Sequence, residues 1–558
     1  MNTDYLYPWF KLDSLNGFVV LAIGLFFVLT IIYSLRFMKG RRQLIQYYAY
    51  VILTAVASIC TVLANNLILL LVFWGFLGVT LFLLINMGEK DSETVAKKTF
   101  IIVGGSDALM LLGIGIIYYL TGTFQMDKIS ISLSTTYYLL PTIAYLCLAI
   151  ACFAKSGAMP FHSWIPNCAE VAPIPVVAFL PASLDKLLGI YLLARISLNL
   201  FMMNQAMNMF LMLVGAFTII AAVMMALVQH NMKRLLGYHA VSQVGYMVLG
   251  IGTGNPIGIA GGIFHMLNHA IYKACLFFTS GNVEYRTQTS DLDKLGGLAK
   301  FMPLTYIPTL VASLSISGVP PFNGFFSKWM IYQGIISQWQ ITNSKLLMAI
   351  STFCLVAAMF GSGLTLASFM KLIHAVYLGQ RVNESTSKRV DEVSWQMWLP
   401  CIILALLCVV FGVFAFQIPL KYFILPAVGG VSFIGTWFAG LSTLLVIIGL
   451  LLGLLIVKMK AIKPTLRQDA AFIGGESGDL IEKNAVTGTD FYLTIRELGG
   501  LKGIYQKAEK GYFDIYEQGK NLVFGIGRVF QYLHNGVLPT YLVWTLLGMI
   551  ALFLVLRG

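Results

Sequence analysis

The chain has 558 residues, of which 58% are hydrophobic and only 11% are charged, and its mean hydropathy is +0.81. A soluble domain normally carries about a quarter charged residues, so this composition excludes an ordinary soluble protein. The formal net charge of +13 does not indicate a nucleic-acid interface, because the lysines and arginines cluster in loops between apolar runs, a pattern typical of membrane topology and of contacts with lipid headgroups.

Apolar runs of roughly 20 residues recur along the whole chain, and each can cross a hydrocarbon core of about 30 Å as a helix. The alternating ten-residue segments of a membrane barrel are not seen, and helices are the other structure that satisfies a backbone in lipid. We therefore predict an all-α, polytopic membrane protein with about 14 transmembrane helices. The predicted spans are 16–35, 47–63, 66–87, 101–121, 142–164, 176–198, 207–229, 238–252, 258–280, 303–337, 347–379, 397–417, 431–458 and 537–556.

Basic residues fall in alternate loops, which predicts the orientation of the chain. The positive-inside rule places these loops in the cytoplasm and both termini on the opposite side. The first residues lack a basic region and a cleavage site, so we expect no removable signal peptide. The basic residues of the predicted cytoplasmic loops are Arg36, Lys39, Arg41, Arg42, Lys90, Lys97, Lys98, Lys233, Arg234, Arg286, Lys294, Lys300, Arg381, Lys388 and Arg389.

Two spans contain glycine and proline in the middle of the membrane and share the pattern SGxxPF. The first is the string AKSGAMPFHSWIP and the second is SISGVPPFNGFFSKW, with Ser156 and Ser317 separated by 161 residues, or five spans. An odd number of spans inverts the second copy in the membrane. We therefore predict two inverted five-helix repeats, at 47–198 and 207–379, whose broken helices mark an ion path.

The remaining chain is divided into four predicted segments. An N-terminal span occupies 1–46, and two additional spans occupy 397–458. Residues 460–536 are polar and mixed, and we predict an amphipathic helix on the cytoplasmic surface there, with a small soluble cap as the alternative. A terminal transmembrane anchor occupies 537–558.

Ionisable side chains within predicted spans are the main functional signal, because each costs roughly 2.5–3.5 kcal/mol at the centre of a membrane helix. A poorly solvated lysine releases its proton more readily than one in water, and histidine titrates near pH 6.5, so a row of such groups suits proton transfer. The alternative is a set of static ion pairs that brace the helices. The acids are Asp107 and Asp185, and the bases are Lys155, Lys186, His265, His269, Lys273, Lys328 and Lys371, with Lys233 at the head of a span.

No metal or cofactor site is predicted in this chain. His265, His269 and Lys273 follow one another at four-residue spacing and share a helix face, but the glutamate of an HExxH zinc motif is absent. The eight cysteines are scattered without a CxxC pair, and no Walker A or dinucleotide fingerprint occurs.

Five strings give the sequence a resemblance to a known family over about 45–380: AKSGAMPFHSWIP, GIYLLAR, KRLLGYHAVSQVGYMVLGIG, FHMLNHAIYKACLFFTSGNV and SGVPPFNGFFSK. The chain resembles the antiporter-like subunits shared by respiratory complex I, Mrp-type sodium/proton antiporters and membrane-bound energy-converting hydrogenases. The C-terminal helix resembles the lateral arm with which such subunits brace their neighbours.

The resemblance implies roles for individual residues. Lys155 resembles the central lysine of the first half-channel, and Lys233 the lysine that connects it to the second repeat. His265 and His269, with Lys273 beside them, resemble the second half-channel, and Lys328 resembles its terminal lysine. Asp107 matches an acid that is common in the family.

Three departures from the family are visible. The glutamate that usually pairs with the central lysine is replaced by Gly75, and our hypothesis is that Asp107 takes its place. A histidine often found near position 181 is replaced by Pro181, and Asp185 with Lys186 is predicted to supply a substitute relay. Two N-terminal spans common in complex I versions are expected to be missing. The strings APIP and LPASLDKLLGIYLLAR favour a hydrogenase-like or other bacterial or archaeal complex over a mitochondrial-type complex I.

The expected function is therefore a subunit that translocates protons, or Na⁺, in a redox-driven complex of the prokaryotic cytoplasmic membrane. The expected partners are other membrane subunits and a peripheral redox arm, and any Fe–S, flavin or Ni–Fe centre is expected only in those partners. Two alternatives are a subunit of an Mrp-type Na⁺/H⁺ antiporter and a non-conducting structural subunit.

Overall fold

The computed structural model describes residues 9–41, 43–133, 139–341, 343–379, 391–428, 431, 439–458, 489 and 493–557. These residues are almost entirely helical, as predicted, and the strands are the two-residue β1 (Ile131–Ser132) and β2 (Phe201–Met202), which pair in parallel. The first seventeen helices are α1 (Ser14–Phe37), α2 (Leu44–Leu63), α3 (Leu67–Ile85), α4 (Ser92–Thr121), α5 (Leu139–Ser156), α6 (Trp164–Val171), α7 (Ile174–Phe179), α8 (Asp185–Arg195), α9 (Gln205–Leu227), α10 (Met232–Gly252), α11 (Pro256–Thr287), α12 (Pro303–Ser317), α13 (Asn323–Ile341), α14 (Lys345–Ile373), α15 (Trp395–Val413), α16 (Leu425–Val428) and α17 (Ala439–Lys458). Wider π-helical turns occupy Leu180–Leu184, Ile196–Leu200, His374–Leu378 and Phe416–Ile424, and short 3₁₀ turns occupy Met126–Lys128, Leu292–Lys294 and Leu298–Lys300.

Within the described ranges, ten helices are long and apolar enough to cross a membrane. The polytopic helical class is thus confirmed, and the number of 14 spans stays a prediction. Two predicted spans form the long helices α10 and α11, whose polar and ionisable side chains lower their hydropathy. A third, 303–337, is divided into the shorter α12 and α13, and a fourth is helical over Ala439–Lys458.

The helical structure is interrupted at both predicted positions. α5 ends at Ser156 and α12 at Ser317, and the glycine that follows each has a left-handed backbone, with φ of 81° at Gly157 and 80° at Gly318. Glycine adopts this conformation without the steric penalty of a side chain, which is why it commonly ends helices. The first helix stops earlier than the predicted 142–164 span, and the chain becomes helical again only at α6.

The interior of the membrane domain is closely packed around α7 to α11. The segment Ile174–Leu200 is entirely buried across its most apolar 18-residue window. α9 and α10 approach so closely at Gly215 and Gly245 that a Cβ added to either glycine would lie 2.6 Å from the other's carbonyl oxygen. Tight packing of this kind leaves little space for a side chain to escape to solvent, so ionisable groups on α8, α10 and α11 are held inside the protein.

The predicted outer end of the bundle is tied together by the arginine of the GIYLLAR string. Asp13 caps α1 by accepting the backbone N–H groups of Leu15 and Asn16, and its carboxylate lies 2.8 Å from the Arg195 guanidinium of α8. Burial acts to raise the pKa of Asp13, but the hydrogen bond and the positive charge of Arg195 outweigh it and hold that pKa below its ordinary value. This pair joins two helices that are far apart in sequence.

The C-terminal region is described separately, because the chain divides into compact units at Met1–Lys502 and Gly503–Gly558. After the short α18 (Leu493–Glu497), the structure forms α19 (Gly499–Glu509), α20 (Ile515–Leu533) and α21 (Leu538–Arg557). The apolar residues of the predicted amphipathic helix thus lie mainly on two helices, α19 and α20, which are separated by a turn where Gly511 has a φ of 76°. The place of these helices beside the membrane stays a prediction.

Some predictions fall outside the described residues. They include the first part of the polar segment, at 460–488 and 490–492, and the basic loop residues Arg42, Arg381, Lys388 and Arg389.

Candidate ion-translocation site

Lys155 lies at the centre of a first cluster of buried charges. It occupies the last turn of α5, is fully buried, and its Nζ has no hydrogen-bond partner among the residues that the structure describes. The ammonium lies 5.1 Å from the ring centre of Trp74 on α3, in a cation–π contact. It interacts electrostatically with Asp185 of α8 and Asp107 of α4. The structure thus brings together three residues that are separated by up to 78 positions in sequence.

Asp107 faces α3 beside the position where the family has its glutamate. A Cβ added to Gly78 would lie 3.9 Å from Oδ2 of Asp107, and the carboxylate interacts with both Trp74 and Lys155. A Cβ added to Gly75 would have no atom within 4 Å. Position 75 therefore has room for a side chain, and Asp107 interacts with the lysine that the family glutamate usually pairs with.

Asp185 and Lys186 begin α8 immediately after the π-helical turn at Leu180–Leu184, and both are buried. The Lys186 ammonium lies 5.5 Å from the ring centre of Trp164, and a Cβ added to Gly157 would be 3.9 Å from it, which places the amine at the break between α5 and α6. Lys186 also interacts electrostatically with residues of α11. It is the group that joins the first cluster to the second.

The second cluster is built on α11, where His265, His269 and Lys273 are all fully buried, as their spacing predicts. The Lys273 ammonium donates to the carbonyl oxygen of Leu236 on α10 at 2.7 Å. Neither ring nitrogen of His269 has a hydrogen-bond partner within the described part of the chain. His269 interacts electrostatically with Lys273 and His265 of its own cluster and with Lys186 of the first cluster. It therefore links the second cluster to the first.

His265 continues the row toward α13. Its Nδ1 lies 2.8 Å from the hydroxyl of Ser327, and its Nε2 lies 3.1 Å from the amide oxygen of Gln243. Because an amide oxygen only accepts hydrogen bonds, this arrangement places the proton of a neutral ring on Nε2 and leaves Nδ1 to accept from the Ser327 hydroxyl.

Lys328 forms the far end of the row, and the broken helix explains its position. Its ammonium donates to the carbonyl oxygen of Ile316 and to the hydroxyl of Ser362, each at 2.8 Å, and lies 4.5 Å from the ring centre of Tyr246. Ile316 is in the last turn of α12, where carbonyl groups have no partner within the helix and carry partial negative charge. The break at Gly318 therefore creates an acceptor for the lysine.

Two ionisable residues near the row were not among the predicted site residues. His239 on α10 lies 2.7 Å from the hydroxyl of Ser368 and interacts electrostatically with Lys273 and Lys328. Its signal was an ionisable side chain inside the KRLLGYHAVSQVGYMVLGIG string. Glu284 lies 2.7 Å from the Lys233 ammonium, and it was missed because α11 continues seven residues beyond the predicted end at 280.

The buried lysines do not all belong to the row. Lys371 donates to the carbonyl oxygens of Leu227 and Gln229, each at 2.7 Å, at the end of α9. Lys233 lies at the head of α10 and pairs with Glu284 in a cavity instead of joining the other predicted residues. Both amines therefore have partners at helix ends.

Comparison with known families defines the class of protein. Residues 64–357 match the family described as NADH:quinone oxidoreductase/Mrp antiporter, TM. This match covers more than half of the chain, and the chain therefore belongs to this family of antiporter-like membrane subunits. The resemblance predicted from the sequence motifs is confirmed.

Among curated proteins, the chain is similar to the Na(+)/H(+) antiporter subunit A1 of Staphylococcus epidermidis, with 33% identity in an alignment of length 408 that covers 69% of this chain and 50% of the relative. It is also similar to the subunit A1 of Staphylococcus haemolyticus, with 33% identity in an alignment of length 425 that covers 72% of this chain and 52% of the relative. The chain thus spans about half the length of the curated relatives that it matches.

Two solved structures share the fold. A chain of the membrane-bound sulfane sulfur reductase, an archaeal respiratory membrane complex, aligns with a TM-score of 0.77 and 23% identity over 98% of this chain and 89% of that chain. A chain of the Mrp complex from Dietzia sp. DQ12-45-1b aligns with a TM-score of 0.66 and 21% identity over 75% of this chain and 84% of that chain.

Proposed function

We propose that this chain is an ion-translocating subunit of a multisubunit Na⁺/H⁺ antiporter of the Mrp type in a prokaryotic cytoplasmic membrane. The observation that carries the proposal is the row of ionisable side chains that runs from the half-buried Asp107 through fully buried lysines and histidines to Lys328, within a family whose similar curated relatives are Na⁺/H⁺ antiporter subunits. These relatives favour the antiporter alternative over the redox-driven complex that was our first expectation from sequence.

Charge movement along the row follows from electrostatic coupling. At an effective dielectric constant of about 20, two unit charges about 6–12 Å apart interact by roughly 1–3 kcal/mol, which exceeds the thermal energy. Lys155 is coupled to Asp185, and Lys186 to His269. A change of protonation at one group therefore alters the proton affinity of the next, and a charge that moves at one end propagates along the row.

The proposed roles follow the order of the groups in space. Asp107 sets the charge state of Lys155, in the place of the missing glutamate at Gly75. Asp185 and Lys186 relay the change from the first cluster to α11, where His269, His265 and Lys273 carry it onward. Lys328 exchanges the ion at the far end, and Lys233 acts from the head of α10.

A second candidate is a subunit of a redox-driven complex, which is favoured by a family that also includes NADH:quinone oxidoreductase subunits. In that case Fe–S, flavin or Ni–Fe centres would lie in partner subunits, and electron transfer there would move the ion. The third candidate, a non-conducting structural subunit, is favoured by Gly75 in place of the carboxylate of the family.

Purification of the native complex in mild detergent, identification of its subunits and reconstitution into liposomes distinguish the candidates. We expect a Na⁺ gradient imposed across the liposomes to drive proton movement without any electron donor, as recorded with a trapped pH-sensitive dye. Proton movement that requires an added electron donor would assign the chain to a redox-driven complex. The loss of both activities in an intact complex would identify a structural subunit.

A further inference from the structure

A cavity of about 700 Å³ lies at the end of the domain where α10 begins and α11 ends, on the side of the predicted cytoplasmic loops. It is bordered by the α1–α2 and α3–α4 connections and by α6. The proposed row of buried charges does not include this cavity. The charged side chains that line it, apart from the pair on α10 and α11, are Arg41, Glu89, Lys90, Asp91 and Glu170.

Inside the cavity, Lys233 of α10 and Glu284 of α11 form an ion pair whose Nζ and Oε1 atoms are 2.7 Å apart. The Lys233 side chain is 10% exposed and that of Glu284 is 27% exposed. By comparison, Arg41 and Glu89 are 3.5 Å apart, and the glutamate side chain is 81% exposed. The Lys233–Glu284 pair is therefore screened less by water than this rim pair.

This ion pair adjoins the buried row. The carbonyl oxygen of Leu236, one turn along α10 from Lys233, accepts the hydrogen bond from Lys273 at 2.7 Å. Glu284 lies on the same helix as Lys273, His269 and His265. The two helices that meet in the cavity therefore also contribute to the second cluster, because α11 carries its side chains and α10 supplies the carbonyl oxygen that binds Lys273.

We infer that this cavity is an ion-uptake site, in which a monovalent cation, either H⁺ or Na⁺, binds the Glu284 carboxylate in exchange for the Lys233 ammonium. This inference rests on the proposed function. One positive charge replaces another at the Glu284 carboxylate, and the released ammonium stays in a cavity that is also lined by the carboxylates of Glu89, Asp91 and Glu170. When the cation is a proton, it forms an O–H bond on Glu284, and Lys233 keeps its own proton.

The released ammonium of Lys233 is the link to the row. Lys233 precedes Leu236, the acceptor of Lys273, by three residues on α10. We expect the release of its ammonium from Glu284 to increase the repulsion between the two amines and so to favour the loss of a proton from Lys273 toward His269. Cation binding in the cavity thereby starts the change that the row carries forward.

The test uses the purified complex in liposomes, with the rate of exchange measured against Na⁺ concentration at fixed pH and against H⁺ concentration at fixed Na⁺. We expect Glu284→Gln to raise the half-saturating concentration of one of these cations at least about tenfold, because a charged acceptor is lost from the binding site. The matched control is Glu93→Gln, which removes an exposed carboxylate of α4 that pairs with Lys97 and does not line the cavity, and it is expected to change both concentrations less than about twofold.

A second variant separates binding from folding, since Glu284→Gln leaves a buried ammonium without its partner. The double variant Lys233→Met with Glu284→Gln removes both charges, and we expect it to assemble and to show the same weakened cation dependence. Wild-type half-saturation for both cations in an assembled Glu284→Gln complex, or in the assembled double variant, would overturn the inference.

The failure of this inference is distinguishable from that of the proposed function by Lys155→Ala in the same preparation. If the wild type exchanges ions, Lys155→Ala does not, and Glu284→Gln behaves as the wild type, then only the ion-uptake site is wrong. If the intact wild-type complex carries neither ion, both are wrong.

Discussion

The buried lysines of the row are stabilised in different ways. Lys328 and Lys273 each donate to a backbone carbonyl oxygen that a neighbouring helix presents. Within the described residues, Lys155 has no such acceptor and depends on the carboxylates of Asp107 and Asp185 and on the ring of Trp74. Lys186 shares this lack of an acceptor and interacts with Asp185, so the charge states of Lys155 and Lys186 are more sensitive to a nearby acid than those of Lys273 and Lys328.

This difference predicts the effect of removing the acid on α4. We expect Asp107→Asn to lower ion transport by the reconstituted complex at least about tenfold, because one carboxylate that favours the charged lysine is lost. Asp127→Asn, which changes a carboxylate paired with Lys11 outside the row, is the matched control and is expected to transport as the wild type does.

A second substitution, at Gly75, is expected to restore transport to the Asp107→Asn variant. Since a Cβ at this position meets no atom within 4 Å, Gly75→Glu is expected to fit and to restore a carboxylate near Lys155. We expect the double variant with Asp107→Asn to recover a substantial part of the lost transport. Full activity of Asp107→Asn alone would show that Asp107 does not replace the glutamate of the family.

At the scale of the elements, the two broken helices bring polar backbone to the lysines. Trp164 donates its indole N–H to the carbonyl oxygen of Ala154 across the first break, and Lys328 donates to Ile316 across the second. In both breaks the last carbonyl groups of a helix accept hydrogen bonds from side chains. An unbroken helix would use these carbonyl groups itself.

Gly157 is a position where the geometry of the first break tolerates little change. An added Cβ would lie 1.8 Å from Cδ1 of Ile165 at a backbone φ of 81°, so we expect Gly157→Ala to destabilise the protein by roughly 2–4 kcal/mol. The measurement is the midpoint of thermal unfolding in detergent. Gly115→Ala in α4, where nothing lies within 4 Å, is the control and should unfold at or above the wild-type temperature. Equal midpoints for Gly157→Ala and the wild type would contradict the required left-handed turn.

At the scale of the whole molecule, hydropathy and motifs predict the helical class, both breaks and the residues of the row. These features are predictable because the length of an apolar run and the presence of nearby glycine and proline residues depend only on neighbouring positions in the sequence. They do not predict Glu284 as the partner of Lys233, since that contact depends on where α11 ends. They also miss His239, whose position beside Lys273 and Lys328 depends on how α10 packs between α11, α13 and α14.

The C-terminal region also combines a feature that the sequence predicts with one that it does not. The predicted spacing of apolar residues is present, but periodicity alone does not locate the turn at Gly511 that separates α19 from α20. Asp514 then caps α20 by accepting the N–H of Tyr516 at 3.0 Å. Cap and turn residues decide helix boundaries, and apolar spacing decides only which face is apolar.

We propose that the buried lysines of both predicted repeats carry the transported charge. The direct measurement is ion flux through the purified complex in liposomes for Lys155→Ala and Lys328→Ala, with Lys97→Ala as a control, because Lys97 is exposed on α4 and pairs with Glu93. We expect each row variant to assemble and to lose transport at least about tenfold, while the control keeps it. Wild-type flux in assembled Lys155→Ala and Lys328→Ala complexes would show that the row only braces the helices.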